Sequence, residues 1–455
     1  MIDYAVTDPA TGLVVKRYET ATDEQIATAV ASVGQAYRQW RLVPIAERAA
    51  MLRKVADRYA SDRERLAEII IREMGKTTAE ALGEVDLCVS IYAFYADNAE
   101  AFAADKPIDV ASGSAYVRSE PIGALLGIMP WNYPYYQVAR FAAPNLALGN
   151  TMLLKHAPSC PESAEAIAEI FADAGFPEGV YVNIFATNEQ VETIIESPVI
   201  QGVSLTGSER AGRAVGAIAG REMKKLVLEL GGSDPFIVLD DADLDAAIAG
   251  AVAGRMGNAG QACNNSKRII VLDAIYDRFV EGFVAQVQAL KVGEPREGGV
   301  AFGPLSSEAA AAQVVGQVED AVANGATLLT GGGRIDRPGA YVEPTVIADV
   351  QPGTRAYTEE IFGPVAAVYR VADQDAAIRL ANDSPYGLGS VIFTSDDARA
   401  QAVAEQLEVG MVAINAPSQT QADLPFGGVK SSGMGRELGE YGMAEFVNRK
   451  LIRRA

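Results

Sequence analysis

The chain has 455 residues, of which 39 are basic and 59 acidic, giving a formal net charge of −20, with one histidine and three cysteines. This length allows two or three domains with a sizeable core, and 49% hydrophobic against 22% charged residues is an ordinary globular balance. A single histidine excludes multi-histidine metal centres, three scattered cysteines make neither a disulfide framework nor a zinc ribbon, and the acidic balance disfavours nucleic-acid backbones.

Unpaired cysteines suggest reduced thiols and a cytoplasmic protein. The N-terminal stretch MIDYAVTDPATG has acids where a signal peptide needs a basic start and an apolar run. The longest candidate membrane stretch, Ala246 to Gly254, has nine residues; a spanning helix needs about 20. No membrane partner and no metal are expected.

In chain order, the first hundred residues read as helices. After Asp23, the residues Ile26, Val30, Val33, Tyr37 and Trp40 recur at helical spacing. Pro44 suits a second helix start, and Asp62 suits the cap of a third that stops at Gly75. A fourth carries Val85, Cys88, Tyr92 and Tyr95 on one face. Residues 113–121 alternate like an exposed strand.

Short apolar runs then alternate with helical stretches. The runs are Ala124 to Met129, Thr151 to Leu154, Val180 to Phe185, Gly202 to Leu205, Leu226 to Leu230 and Phe236 to Leu239. This alternation predicts a doubly wound parallel sheet. A second such series follows Cys263, with strands expected at Arg268 to Leu272, Thr327 to Leu329, Val365 to Val371, Ser390 to Phe393 and Met411 to Ile414. It reads as a second α/β domain.

Several motifs carry possible chemistry. Cys263, in GNAGQACNNSKR, has glycines nearby that suggest irregular backbone and an accessible side chain. A free thiol is only about 3% ionised at pH 7, so a nucleophilic role needs local positive potential or aligned donors. Glu229 ends the apolar run before Gly231 and Gly232, where partial burial would tune a carboxylate towards general-base work. In PWNYP, Pro130 and Pro134 would hold Asn132 as an oxyanion donor. LTGSERAG ends a strand and opens a helix, a geometry whose free N–H groups can hold a pyrophosphate. Lys155, at the end of TMLLK, can reach a phosphate. Taken singly, each reading competes with a bland one: a packed cysteine, a strand-edge charge, a Pro-rich turn.

Together PWNYP, the strand into Lys155, LTGSERAG, LELGG, GNAGQAC, EEIFGPV and PFGGVKSSGMGRELGEYG resemble the aldehyde dehydrogenase superfamily over nearly the whole chain. Glu229 and Cys263 lie 34 residues apart, as in that pattern. The resemblance implies an aldehyde dehydrogenase-like α/β fold: a Rossmann-type cofactor domain (1–103 and 122–232), an α/β catalytic domain (233–435) and a small β oligomerisation arm (104–121 and 436–455). It implies Cys263 as nucleophile, Glu229 as general base and Asn132 as oxyanion donor. It implies cofactor contacts at Trp131, Lys155, Pro158, Ser159, Gly207, Ser208, Leu230, Glu360 and Phe362.

Pro158, with Ser159 next, stands where many NAD-using members carry a glutamate three residues after the lysine, so no acid is present to repel a 2′-phosphate. NADP is therefore favoured, with NAD or dual use as the alternative. KHAP and LELGGSDPFIV resemble the bacterial succinate-semialdehyde dehydrogenase group, implying oxidation of that aldehyde to succinate through a cysteine thiohemiacetal and thioester. The alternative is another small or medium-chain aldehyde. In that group Arg140 would bind the substrate carboxylate and Thr420 would contact the substrate. Gly257 and Asn265 depart from it, at a second carboxylate-binding arginine and at a redox-switch cysteine of some relatives. A homodimer or homotetramer is implied.

Overall fold

The computed structural model describes residues 3–455; Met1 and Ile2, which begin the N-terminal stretch and the first expected domain, lie outside them. Two large sheets organise the chain. One has six strands in the order Gly433–Met434, Lys225–Glu229, Ile200–Thr206, Ala124–Ile128, Thr151–Lys155 and Tyr181–Ile184. All neighbours pair in parallel except the edge strand Gly433–Met434. From Ala124–Ile128 the chain winds outwards through Thr151–Lys155 and Tyr181–Ile184, then returns to the other side of the first strand with Ile200–Thr206. That reversal opens a crevice at the strands' carboxyl ends, the place where open α/β sheets bind ligands.

The second sheet has seven strands in the order Thr327–Thr330, Thr345–Ala348, Val365–Val371, Ser266–Leu272, Asp234–Val238, Gly389–Phe393 and Met411–Ile414. Only Thr327–Thr330 runs antiparallel to its neighbour. The central strand Ser266–Leu272 is buried along its whole length, which is why its sequence shows no polar–apolar alternation. A separate antiparallel sheet joins Val447–Arg454, Ser114–Pro121 and Lys106–Ile108. Among the described residues, no helix is long and apolar enough to cross a membrane.

The N-terminal helices follow their sequence signals. Asp23–Trp40 starts at a capping box formed by Thr22 and Gln25, and Arg63–Met74 stops at Gly75 with φ +84°. Two readings are corrected. The first hundred residues are not wholly helical, because Tyr4–Thr7 and Val14–Tyr18 form an antiparallel hairpin. The second of these strands is exposed almost throughout, so it has no alternating pattern to read. Asp62 makes no capping hydrogen bond to the following helix and instead pairs with Arg65 at 2.9 Å. The helix Tyr136–Leu148 fills the gap between two of the apolar runs without a sequence signal of its own. All 13 of its residues are buried and Pro144 lies inside it, so it lacks the one-sided apolar stripe that marks a surface helix.

Candidate active site

Cys263 lies between the helix Leu244–Met256 and the strand Ser266–Leu272, on backbone bent the wrong way for ordinary residues. Asn258, Ala259 and Gly260 have φ of 55°, 52° and 73°, three consecutive left-handed residues of which two carry a Cβ. A Cβ at Gly260 would collide with the Gly363 carbonyl, so that position admits only glycine. Strain of this kind persists only where surrounding contacts enforce it.

Those contacts are specific. Glu80 accepts the Asn258 N–H at 2.7 Å. Arg255, with no exposed surface, donates to the carbonyls of Val365 (2.6 Å), Gly260 (3.2 Å), Ile361 (2.9 Å) and Gly363. It thereby ties the Cys263 loop to the segment that carries Glu360 and Phe362. Neither Arg255 nor Glu80 was singled out from sequence; the available signal was a cation inside the otherwise apolar stretch before GNAGQAC.

The Cys263 thiol is pushed up to about 12, chiefly by burial; Arg140 and Lys267 oppose that rise, while Glu360 and Glu229 add to it. Cys88 and Cys160 are both fully buried, and Cys160 Sγ faces the Trp131 carbonyl at 3.8 Å.

Asn132 is 4% exposed, and its amide is oriented by its neighbours. Nδ2 donates to the Gln261 carbonyl at 3.0 Å, which leaves its second N–H free for a ligand, and Oδ1 accepts from Gln137 Nε2 at 3.4 Å. Asn258 Nδ2 donates to the Asn132 carbonyl at 3.3 Å, joining this loop to the cysteine loop. The single histidine works nearby. The Ala157 N–H donates to His156 Nδ1 at 2.7 Å, so the proton sits on Nε2, which donates to the Pro134 carbonyl at 2.8 Å. Burial lowers His156 to about 4, so the neutral ring serves as a strut between PWNYP and the turn after Lys155.

Glu229 ends its strand, 1% exposed, with neither carboxylate oxygen hydrogen-bonded among the described residues. Burial raises its carboxyl well above the ordinary range, against the pull of Arg140. Gly427 makes room for it, since a Cβ there would stand 2.7 Å from Glu229 Oε1. An unpaired buried carboxyl with space beside it can take a proton from water and move as it does so.

Asn132, Glu229 and Cys263 line one cavity of about 440 Å³. Six of the expected cofactor contacts line it too: Trp131, Gly207, Ser208, Leu230, Glu360 and Phe362. Phe362 meets the Trp131 ring edge-on, with centroids 5.7 Å apart. Ser208 caps the helix Glu209–Arg221, its hydroxyl accepting the Ala211 N–H at 3.3 Å. Glu360 accepts the Gly232 N–H at 3.1 Å, and its other oxygen lies where a Cβ on Gly231 would be. A carboxylate held at a cavity wall, a helix start and two aromatic rings form a cradle that fits the ribose and nicotinamide end of a dinucleotide.

Lys155, Pro158 and Ser159 do not line this cavity. They sit at and after the end of the neighbouring strand, with Lys155 7% exposed and lowered by burial to about 8, and Pro158 and Ser159 half-buried.

A second cavity, of about 470 Å³, reaches Cys263 from another side. Thr420, Ser418, Asn264 and Gln137 line it, and Lys76 is the one cation among its lining residues. Lys76 is fully buried, paired with Glu84 at 2.5 Å and seated 3.4 Å from the Tyr133 ring centre. The expected direct carboxylate ligand, Arg140, lines neither cavity. Its guanidinium is wholly buried in an ion pair with Glu437 and donates to Thr206 Oγ1 (2.9 Å) and the Tyr136 hydroxyl (3.1 Å). It lies 5.1 Å from the Tyr136 ring centre and 4.7 Å from that of Phe426, and both of these rings line the second cavity.

Residues 2–452 match the model of the aldehyde dehydrogenase family. A succinate-semialdehyde dehydrogenase [NADP(+)] of Deinococcus radiodurans is 52% identical over 450 residues, covering 99% of this chain and 94% of that protein. A succinate-semialdehyde dehydrogenase [NADP(+)] 1 of Mycobacterium tuberculosis is 45% identical, covering 98% and 99%. The crystal structure of a succinic semialdehyde dehydrogenase from Streptococcus pyogenes, in complex with NADP+ as the cofactor, superposes with a TM-score of 0.97 at 44% identity, covering 99% of both chains. With its nucleophile candidate at the meeting of two cavities and a match along almost its entire length, the chain belongs to the aldehyde dehydrogenase family.

Proposed function

We propose that the protein oxidises succinate semialdehyde to succinate with NADP, or with NAD as a second cofactor. The observation that carries the reaction is the meeting of two cavities at Cys263, with Asn132 and Glu229 beside it. Two curated relatives named for this activity, at 52% and 45% identity, support the substrate and the cofactor.

The residues perform the chemistry without a metal-binding step. Cys263 loses its thiol proton to solvent, and the thiolate Sγ attacks the aldehyde carbon from the second cavity. The free Asn132 N–H and the Cys263 backbone N–H hold the developing oxyanion, stabilising it where its charge forms. A bound nicotinamide supplies the hydride acceptor, and loss of hydride from the thiohemiacetal carbon leaves a thioester on Cys263. Glu229 then takes a proton from a water, whose oxygen attacks the thioester carbonyl; the carbon–sulfur bond breaks and the acid leaves. Lys155, Pro158 and Ser159 are assigned to the adenosine end, where the absence of an acid accepts a 2′-phosphate. We assign 1–103 and 122–232 to cofactor binding, 233–435 to catalysis, and 104–121 with 436–455 to an arm for a homodimer or homotetramer in the cytoplasm.

For the substrate carboxylate, Thr420, with Ser418 and Asn264 beside it, supplies uncharged donors. Arg140 adds positive potential from behind Tyr136 and Phe426, which is a change from the direct ligand expected from sequence. The second reading, another small or medium-chain aldehyde without a carboxylate, is favoured by one observation: among the described residues the only lining cation of that cavity, Lys76, is already paired with Glu84. A substrate panel followed at the nicotinamide absorbance, with NADP and NAD in parallel, separates the two. Succinate semialdehyde with NADP should give the highest kcat/KM; a neutral aldehyde of equal length doing as well would favour the second reading. Arg140→Met should lower kcat/KM for succinate semialdehyde more than for a neutral aldehyde of equal length, because it removes that positive potential.

A further inference from the structure

Lys267 belongs to none of the roles assigned above, yet it touches both halves of the chemistry. It is the second residue of the strand Ser266–Leu272, and its side chain is 3% exposed. Nζ donates to the carbonyls of Cys263 (2.7 Å), Ala262 (3.0 Å) and Asn265 (3.4 Å). On its other side it pairs with Glu360 Oε1 at 3.1 Å, the same oxygen that accepts the Gly232 N–H. A buried ammonium with three carbonyls and one carboxylate around it is fully engaged, and its charge is little screened by water.

Two consequences follow from this placement. The Ala262 carbonyl belongs to the peptide whose N–H is that of Cys263, so fixing the carbonyl fixes the direction of the oxyanion donor. The ammonium also stands among the charges that set the thiol. Cys263 faces Arg140 and Lys267, which favour the thiolate, and Glu360 and Glu229, which oppose it. Lys267 itself faces Glu360 and the buried Asp234, whose carboxyl burial raises to about 7 against the pull of Lys267.

We propose that Lys267 is a positioning residue for the nucleophile: it aims the Cys263 peptide through the carbonyls it holds, and with Glu360 as its counterweight it sets the charge felt by Sγ. The role rests on the reading of Cys263 as nucleophile, but it concerns the enzyme before any cofactor or aldehyde is bound.

The pair therefore has a signature that a plain structural ion pair lacks. Removing Lys267 takes a cation from the thiol, and removing the Glu360 charge takes an anion from it. The two changes must move thiol ionisation in opposite directions, whereas loss of a merely structural pair would disturb the loop alike from either side.

The test is the rate of Cys263 alkylation by iodoacetamide, followed by intact mass across a pH series. It is run on the cofactor-free full chain and on Lys267→Met, Lys267→Arg and Glu360→Gln, each checked for folding by circular dichroism. The alkylation profile of Lys267→Met should move up by about one pH unit, and that of Glu360→Gln should move down. Lys267→Arg should restore most of the profile lost in Lys267→Met. Shifts of the same sign in Lys267→Met and Glu360→Gln, or a folded Lys267→Met with an unmoved profile, would overturn the proposal. If Lys267→Met does not fold, Lys267→Arg and Glu360→Gln decide it: an unmoved Glu360→Gln profile contradicts the charge balance. Alkylation needs no turnover, so a wrong substrate assignment would leave this result intact.

Discussion

The two sheets present their chemistry in opposite ways. In the six-stranded sheet, functional candidates stand at or just past the carboxyl end of a strand: Asn132 beyond Ala124–Ile128, Lys155 ending Thr151–Lys155, Gly207 and Ser208 after Ile200–Thr206, and Glu229 ending Lys225–Glu229. In the seven-stranded sheet, Cys263 comes before its strand, after three left-handed residues. A strand end inherits its position from the ladder of backbone hydrogen bonds. An irregular loop has no ladder, so its carbonyls must be satisfied one by one. Arg255 and Lys267 do that from inside the protein: between them they bond the loop carbonyls of Gly260, Ala262, Cys263 and Asn265, and Arg255 also bonds those of Ile361, Gly363 and Val365 in the facing segment. The candidates of the six-stranded sheet are held by regular structure, and those that precede strands of the seven-stranded sheet, Cys263 with Glu360 and Phe362, by buried cations.

Substitutions can break this contrast, beginning with the largest effect. Cys263→Ala should remove oxidation by roughly four orders of magnitude or more, and Asn132→Ala should lower kcat by about 10²–10³, both read in steady-state assays. Next comes stability. Arg255→Met takes a donor from four backbone carbonyls, Gly260 in the cysteine loop and Ile361, Gly363 and Val365 facing it, and should cost about 3–5 kcal/mol by chemical denaturation. On the strand-held side, His156→Gln should cost nearer 1–2 kcal/mol, since two hydrogen bonds are altered there. Equal losses would remove the contrast.

Pro158→Glu should be smaller and confined to the cofactor: about tenfold weaker binding of NADP by titration, with NAD binding unchanged or improved.

The smallest effect is on thermal stability, and its sign is informative. Burial raises the Glu229 carboxyl in the folded chain above its unfolded value. Such a group favours the folded state relatively more below the unfolded value, and loses that support as pH rises towards the folded one. Glu229→Gln removes the cost, so its Tm should exceed that of the parent at about pH 8 and converge with it below about pH 4.5.

The strand-held half was largely legible. Apolar runs bounded by helices announced the parallel sheet, and motifs such as PWNYP and LELGG fell at strand ends because the carboxyl ends of such sheets are where loops can be exposed. What escaped reading has a common physical basis. The N-terminal hairpin is short, with its first strand buried and its second exposed almost throughout, so neither alternates, and Tyr136–Leu148 is buried on every side and so has no amphipathic period. Arg255 and Lys267 looked like ordinary charges near a cysteine motif, because nothing in a sequence tells which carbonyls a buried cation will reach. The burial of Arg140 was hidden for a related reason. Its position near PWNYP was readable, but its partner Glu437 lies almost 300 residues away, and only the fold brings the two together.

The central claim is that Cys263 carries the acyl intermediate and Glu229 releases it. The most direct test is the intact mass of Glu229→Gln mixed with succinate semialdehyde and NADP. A succinyl adduct should accumulate, map to the peptide containing Cys263 and be absent when Cys263 is also replaced by alanine. Turnover without any adduct, or an adduct that persists in the Cys263→Ala background, would contradict the account.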